Sequence, residues 1–266
     1  LEPVSAAEAA DRTRAAQTAR VELRMEVEGM GLRRTLAVSG EGVTATAAPR
    51  MDMTFELGPL LSSLGAAEGD APVRLLVDGP RIYVDPPDLD TVEVPGGARW
   101  IEADLARIVE AMGVDARGLA DICHISLERQ LEALRAAGTI EEVGTEEVGG
   151  VETTHLEGTM TTRDYLKALA PERRRRAEKA LRDLDRWAGG EPTSLDDKSP
   201  VGLWVDAEGR VRRMRQEGVV PKQPGVPAGA FVITMELDDF GTKLDVRRPP
   251  GDDVFDMTAE LIRELR

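Results

Sequence analysis

The stretch that decides the fold is Val21-Glu22-Leu23-Arg24-Met25-Glu26-Val27-Glu28. Four apolar side chains alternate strictly with four charged ones, which is the period of a β-strand that buries one face. Similar alternation returns at 51–57, 201–205 and 231–237. Short turns, most of them rich in glycine, separate the strand segments, so consecutive strands are expected to pair antiparallel with their neighbours. We count about ten or eleven such strands along the chain.

Helical periodicity is found in four places along the chain. Ser5-Ala6-Ala7-Glu8 is a capping box that opens an Ala-rich helix. Two longer helical blocks are predicted over 100–137 and 161–188, and residues 254–265 are typical of a short terminal helix. A sheet whose strands are apolar on one face only must cover that face, and a twisted sheet of this size curls.

The predicted fold class is therefore α+β. We expect a large curved antiparallel sheet, an incomplete β-barrel, with helices covering its concave face. No shift in composition divides the chain, so residues 1–266 are expected to form a single domain. Helices laid over a strongly curved sheet can leave an apolar cavity that suits an apolar ligand. The alternation alone leaves the other outcome open, in which the same side chains fill a solid core.

Charge excludes some classes of partner. The 266 residues include 34 Lys and Arg but 49 Asp and Glu, so the formal net charge is −15. Nucleic-acid binding needs a basic footprint to neutralise phosphates, and we expect none here. Cys123 is the only cysteine, which allows no internal disulfide and no cysteine-based metal site. No apolar run reaches the roughly 18 residues of a membrane span.

Motifs of catalysis are missing from the sequence. It has no G-x-S-x-G, no phosphate-binding P-loop motif and no H-E-x-x-H, and its two histidines, His124 and His155, have no evident catalytic partner. We therefore expect a protein that is not an enzyme and that uses no cofactor and no metal. The dense basic run 173–176 is interpreted as a solvated helix face, with contact to anionic lipid headgroups as the functional alternative.

Four segments carry a resemblance to a known family. They are 18–25 (TARVELRM), 148–158 (VGGVETTHLEG), 203–213 (LWVDAEGRVRR) and 235–241 (MELDDFG). In this order, after an opening helix, they resemble the LppX/LprG-type lipoproteins of actinobacterial cell envelopes, which share the LolA-like half-barrel fold. The resemblance implies a helix-covered cavity, a lipid or glycolipid ligand, and membrane tethering through an acylated N-terminal cysteine. This chain opens at Leu1 without such a cysteine, so an anchor is expected only on a precursor segment.

The resulting hypothesis is a non-enzymatic, extracytoplasmic envelope lipoprotein that acts as a monomer and carries or presents acyl chains. The alternative is a regulatory or interaction module on the same fold that acts through a protein partner. For lipid binding, the predicted cavity lining is Leu23, Met25, Val27, Leu36, Met53, Phe55, Leu105, Ile108, Leu131, Leu203, Phe231, Ile233 and Met235.

Overall fold

The computed structural model describes residues 5–32, 35–58, 72–86, 94–122, 140–189, 192–220, 222 and 227–265. Within them the strands are β1 (Thr18–Gly29), β2 (Leu36–Ala45), β3 (Arg50–Glu56), β4 (Pro72–Asp78), β5 (Arg81–Asp85), β6 (Trp100–Asp104), β7 (Ile140–Val148), β8 (Val151–Met160), β9 (Ser199–Asp206), β10 (Val211–Val220), β11 (Gly229–Asp238) and β12 (Val254–Asp256). The helices are α1 (Ala6–Ala15), α2 (Leu105–Ala111), α3 (Ala116–Ile122), α4 (Thr162–Ala168), α5 (Pro171–Ala188) and α6 (Thr258–Glu264). None of these helices is both long and apolar enough to span a bilayer.

One sheet holds all the described strands. Its order is β12-β6-β5-β4-β3-β2-β1-β11-β10-β9-β8-β7, and it stays open between β12 and β7 over the described part of the chain. Strands β1 to β6 and β7 to β11 are two antiparallel meanders. Pairing of β1 with β11 joins them, from Arg20 opposite Asp238 to Gly29 opposite Gly229. The predicted α+β class with a large, open, mostly antiparallel sheet is confirmed.

The two faces of the sheet differ in chemistry because side chains alternate along each strand. We call inner face the one that carries Leu23, which lies opposite Met235, followed across the sheet by Met214, Leu203 and Leu156. The outer face carries the charged partners of the alternation. Its cross-strand ion pairs include Arg74–Asp52, Arg213–Glu236 and Arg20–Asp238.

Helices cover part of the inner face. Tyr165, Leu166 and Leu169 from the α4 region and Ala177 of α5 are buried in one cluster with Leu203 and other inner-face residues. In the same cluster, α1 contributes Ala6, Ala9 and Ala10, whose small side chains allow close approach.

Hydrogen bonds and small residues hold these helices in place. The hydroxyl of Thr13 in α1 donates to the Ala9 carbonyl (2.7 Å) and accepts from the Val211 amide of β10 (2.8 Å). Between α3 and α5 the packing is tight, since a Cβ on Gly118 would lie 2.5 Å from the Arg176 carbonyl.

The C-terminal segment supplies the parallel pair of the sheet. After β11 it passes Arg50, which donates to the Val246 carbonyl (3.1 Å), and reaches β6, where β12 pairs in parallel from Val254 opposite Trp100. Residues 254–256 therefore form a strand, and the predicted terminal helix covers only Thr258–Glu264.

Residues 100–104 also form a strand, although they belong to the block 100–137 that was expected to be helical. They pair with β5, and helix begins at Leu105, where Asp104 caps it by accepting from the Arg107 amide. The rest of that predicted block beyond Ile122, with Cys123, His124 and Leu131, lies outside the described residues.

Candidate functional site

The inner face divides into a closed part and a half-open part. The closed part lies under α1, α4 and α5, where Val21, Met53, Leu203, Met235 and Leu237 are at most 3% exposed. The half-open part begins two residues after Val21 on the same strand, at Leu23, and continues at Met25. Single half-buried apolar side chains are common in folded proteins, so the informative feature is that these form a contiguous set.

The half-open part is contiguous, and we call it the apolar patch. Cross-strand pairs place Met25 opposite Ile233 and Val27 opposite Phe231, while Leu36 lies opposite Val27 on the other side of β1. Phe55 of β3 extends the patch across Gly40 of β2. Its members are all half-buried: Leu23, Met25, Val27, Leu36, Phe55, Phe231 and Ile233.

Two glycines shape the floor of this patch. A Cβ on Gly40 would lie 2.6 Å from the Phe55 ring, and one on Gly218 would lie 2.3 Å from the Phe231 ring. Each phenyl ring therefore lies across the bare backbone of the neighbouring strand, as aromatic side chains do over glycine in sheets. The rings lie low on the sheet as a result, and the space above them is not filled by side chains from positions 40 and 218.

Half-buried apolar residues continue the inner face toward β6. Leu75 lies opposite Met53, Val84 opposite Leu75, and Ile101 opposite Val84. We did not include these positions in the predicted lining. The signal that could have found them is the same two-residue alternation, which places 73, 75 and 77 on one face of β4.

The predicted lining residues fall into four groups. Seven form the apolar patch. Met53, Leu203 and Met235 lie in the closed core beside it. Leu105 and Ile108 lie on α2, where Leu105 is 38% exposed and Ile108 is half-buried, and α2 contacts α3, α6 and β5. Leu131 lies outside the described residues.

The size of the apolar patch bounds what it can contribute to binding. From Leu23 to Val27 the strand rises about 14 Å, and three strand spacings from β3 to β11 add about 14 Å across. The patch thus offers on the order of 200 Å², which stabilises an apolar ligand by about 5 kcal/mol before the entropic cost of binding. Even with no entropic cost, about 5 kcal/mol corresponds to a dissociation constant of roughly 0.2 mM. Tighter binding therefore requires apolar contacts on the other side of the ligand as well.

The outer face carries a polar cluster around Trp204. The indole stacks on the His155 ring at a centroid distance of 4.1 Å, lies under the guanidinium of Arg213 at 5.2 Å, and donates its N–H to Glu146. Both faces of the indole are therefore occupied, and this cluster stabilises the β8–β9–β10 region. His155 is placed against Trp204 and within 3.5 Å of Glu157.

A second feature of the outer face is a cleft of about 350 Å³ where the segment after β11 crosses the sheet. Arg20 and Lys243 face Glu41, Asp52 and Asp245 there. Charges of both signs line this cleft, and Asp52 is already held by a bidentate bond from Arg74 at 2.7 and 2.9 Å. The apolar patch is consequently the stronger candidate for a ligand site.

Comparison with known proteins gives the following similarities. The chain is 25% identical over 253 residues, 94% of its length, to 77% of an uncharacterized 31.2 kDa protein encoded between rplA and rplJ in Streptomyces griseus. Among solved structures it is similar to the Mycobacterium tuberculosis lipoprotein LppX, with TM-score 0.47 and 13% identity over 91% of this chain and 98% of that one. LprF from Mycobacterium bovis gives TM-score 0.42 and 12% identity over 92% and 97%. No family model matches the chain.

A LolA-superfamily protein from Nitrosomonas europaea gives TM-score 0.27 and 11% identity over 89% of this chain and 95% of that one. All three TM-scores are below 0.5.

Proposed function

We propose that this protein binds the acyl chains of a lipid or glycolipid on the apolar patch and carries or presents them in the cell envelope without catalysing a reaction. One observation supports the proposal above all: seven apolar side chains in adjacent registers of β3, β2, β1 and β11 stay half-buried beside the closed part of the inner face. The sequence resemblance to envelope lipoproteins agrees with an acyl ligand and with an extracytoplasmic location.

An acyl chain fits the chemistry of this surface. The patch presents aliphatic side chains, two flat phenyl rings and one flexible methionine, with no charged residue among them. Each methylene group removed from water contributes about 0.8 kcal/mol, so affinity grows with chain length and depends little on the headgroup. Met25 adds an adaptable contact that tolerates chains of different shape.

The experiment compares two double variants of β1. Met25→Gln with Val27→Thr keeps the size of both inner-face side chains but places polar atoms in the apolar patch. Arg24→Gln with Glu26→Gln removes an ion pair (2.9 Å) from the outer face of the same strand and leaves the net charge unchanged. Delipidated full-length chains are titrated with a dansyl-labelled undecanoic acid. We expect saturable binding that the inner-face variant weakens about tenfold or more, because a buried hydroxyl or amide without a partner costs about 1–3 kcal/mol.

The outer-face variant is expected to bind within twofold of the unchanged chain. Thermal unfolding of both variants verifies that they are folded. Binding that is absent from the unchanged chain, together with no lipid in native mass spectra of protein purified from its source, would reject acyl binding. A stoichiometric protein partner in place of a lipid would then favour the regulatory or interaction module.

A further inference from the structure

Most arginines of the basic run 173–176 bind groups within the protein. Arg173 and Arg176 form ion pairs with the buried Asp121 at 3.0 and 3.6 Å. Arg174 donates to the carbonyls of Leu166 (2.9 Å), Lys167 and Leu169 at the end of α4. Three of the four arginines therefore bind protein groups, and the run as a whole is not a surface patch.

A different set of cations forms a stripe along α5. Arg175, Lys179, Arg182 and Arg186 recur at a spacing of four, three and four residues, and all four are exposed. We call them the cationic stripe. This spacing places them on one side of the helix, opposite the buried Ala177, Ala180 and Leu181. The eleven helical rises of about 1.5 Å between Arg175 and Arg186 give the stripe a length of about 16 Å.

Most of the stripe's charge is not neutralised locally. Helix α5 contains seven basic and four acidic residues, so its formal charge is +3 in a chain of net charge −15. Asp183 accepts from both Lys179 and Arg186. Within the described part of the chain, no acidic side chain lies in ion-pair distance of Arg175 or Arg182. Acidic groups elsewhere act weakly across more than about 8 Å at physiological salt.

An exposed tryptophan stands at the end of the stripe. Trp187 follows Arg186 directly and is 47% exposed, whereas Trp100 and Trp204 are each 7% exposed. A tryptophan left in water loses most of the stabilisation that its burial provides. Indole rings next to cationic side chains are typical of surfaces that meet the headgroup layer of a membrane.

We propose that the outer side of α5 docks on an anionic lipid bilayer, with the cationic stripe on the headgroups and Trp187 in the interfacial layer. The straight row of cations matches a planar anionic surface in charge. Trp187, about 100° round the helix from its neighbour Arg186, lies at the edge of that surface. Because Ala177 on the opposite side of α5 is buried in the same cluster as inner-face residues, docking turns the side that bears the apolar patch toward the membrane. The docking surface itself does not depend on acyl binding by the patch.

The test measures sedimentation of the full chain with vesicles. One set contains equal parts of phosphatidylcholine and phosphatidylglycerol, and the other contains phosphatidylcholine alone. We expect binding to the anionic vesicles that high salt abolishes. Arg175→Gln with Arg182→Gln should weaken it about thirtyfold, at about 1 kcal/mol per cation and 1.4 kcal/mol per factor of ten. Vesicle contact should also shift Trp187 emission to shorter wavelength, and Trp187→Ala should remove that shift.

The matched control is Arg247→Gln with Arg263→Gln, which removes the same charge at two side chains that are 81% and 70% exposed. It should bind anionic vesicles within a few-fold of the unchanged chain. An equal loss in both double variants, or no preference for anionic vesicles at low salt, would overturn the proposal. Stripe-dependent binding of an acidic protein without vesicle binding would overturn it in favour of a protein partner. Acyl titration of the same stripe variant should be unchanged, so the two proposals fail independently.

Discussion

At the scale of single residues, Asp206 is the most constrained charge in the described chain. Its side chain is fully buried in the β9–β10 turn and accepts from the Arg210 amide (2.8 Å) and from the guanidinium groups of Arg210 and Arg212 (3.2 and 2.7 Å). Burial acts to raise the pKa of Asp206, but the hydrogen bonds from Arg210 and Arg212 and their positive charges outweigh it, and the pKa is lowered. The Cζ atoms of Arg210 and Arg212 lie 4.7 and 4.9 Å from the centroid of the Phe240 ring.

We therefore expect Asp206→Asn to destabilise the protein by about 2 kcal/mol at neutral pH, since hydrogen bonds to charged groups contribute about 1.5–3 kcal/mol. A carboxylate with a lowered folded-state pKa stabilises the fold above the unfolded pKa of about 3.9 and loses that contribution as pH falls through the folded value. The gap between Asp206→Asn and the unchanged chain in urea unfolding should thus shrink from pH values above about 5 toward values below about 3. Glu208→Gln, which changes an exposed partner of Arg210, is the control. A pH-independent gap would contradict the assignment.

At the scale of elements, β1 organises the sheet because it joins the two meanders. Its inner side carries three residues of the apolar patch, and on its outer side Glu22 is the middle of a cross-strand row of three glutamates. Glu22 lies directly opposite Glu41 of β2 and Glu236 of β11. Like charges directly opposite each other in a sheet are destabilising, and only Glu236 of this row has a described ion-pair partner, Arg213 at 2.7 Å.

Glu22→Gln is accordingly expected to raise the free energy of unfolding by about 0.5 kcal/mol at low salt, and the gain should fall as salt screens the repulsion. Glu28→Gln is the matched control, because Glu28 is exposed on the same strand and lies opposite Ala230. Chemical denaturation at two salt concentrations provides the measurement. An equal effect of both substitutions would show that net charge, and not the cross-strand row, is responsible.

At the scale of the whole molecule, a ligand bound on the half-open inner face is expected to stabilise the folded chain. A ligand that binds only the folded chain adds about 2.7 kcal/mol at a hundred times its dissociation constant. For a domain of this size that corresponds to an increase in Tm of about 5–10 °C. We expect a saturated fatty acid to raise the Tm of the delipidated chain, and longer chains to raise it more. At the same ligand concentration, Met25→Gln with Val27→Thr should show about half of that increase or less, because tenfold weaker binding leaves about 1.4 kcal/mol. A short-chain acid that is as effective as a long one would contradict an acyl site.

Prediction from sequence worked where the signal is local. The hairpin at 201–214, with its turn at Asp206–Gly209, and the hairpin of β4 and β5 follow from alternation and turn residues, and both are confirmed. The prediction of helix for residues 100–104 is wrong, since five residues are too few to reveal their period. Strand β12 was missed because three residues carry no periodic signal, and it forms only where β6 offers a free edge.

The sequence by itself determined which residues alternate, and thereby which side chains share a face of the sheet, because two-residue periodicity is a property of the strand alone. Only the tertiary structure decided how that face is used. The pairing of β1 with β11 depends on chain segments about 200 residues apart, and the placement of α1, α4 and α5 closes the core around Leu203 while Met25 and Phe231 stay half-buried. Burial depends on what packs from elsewhere in the chain, and no pattern within a strand contains that information.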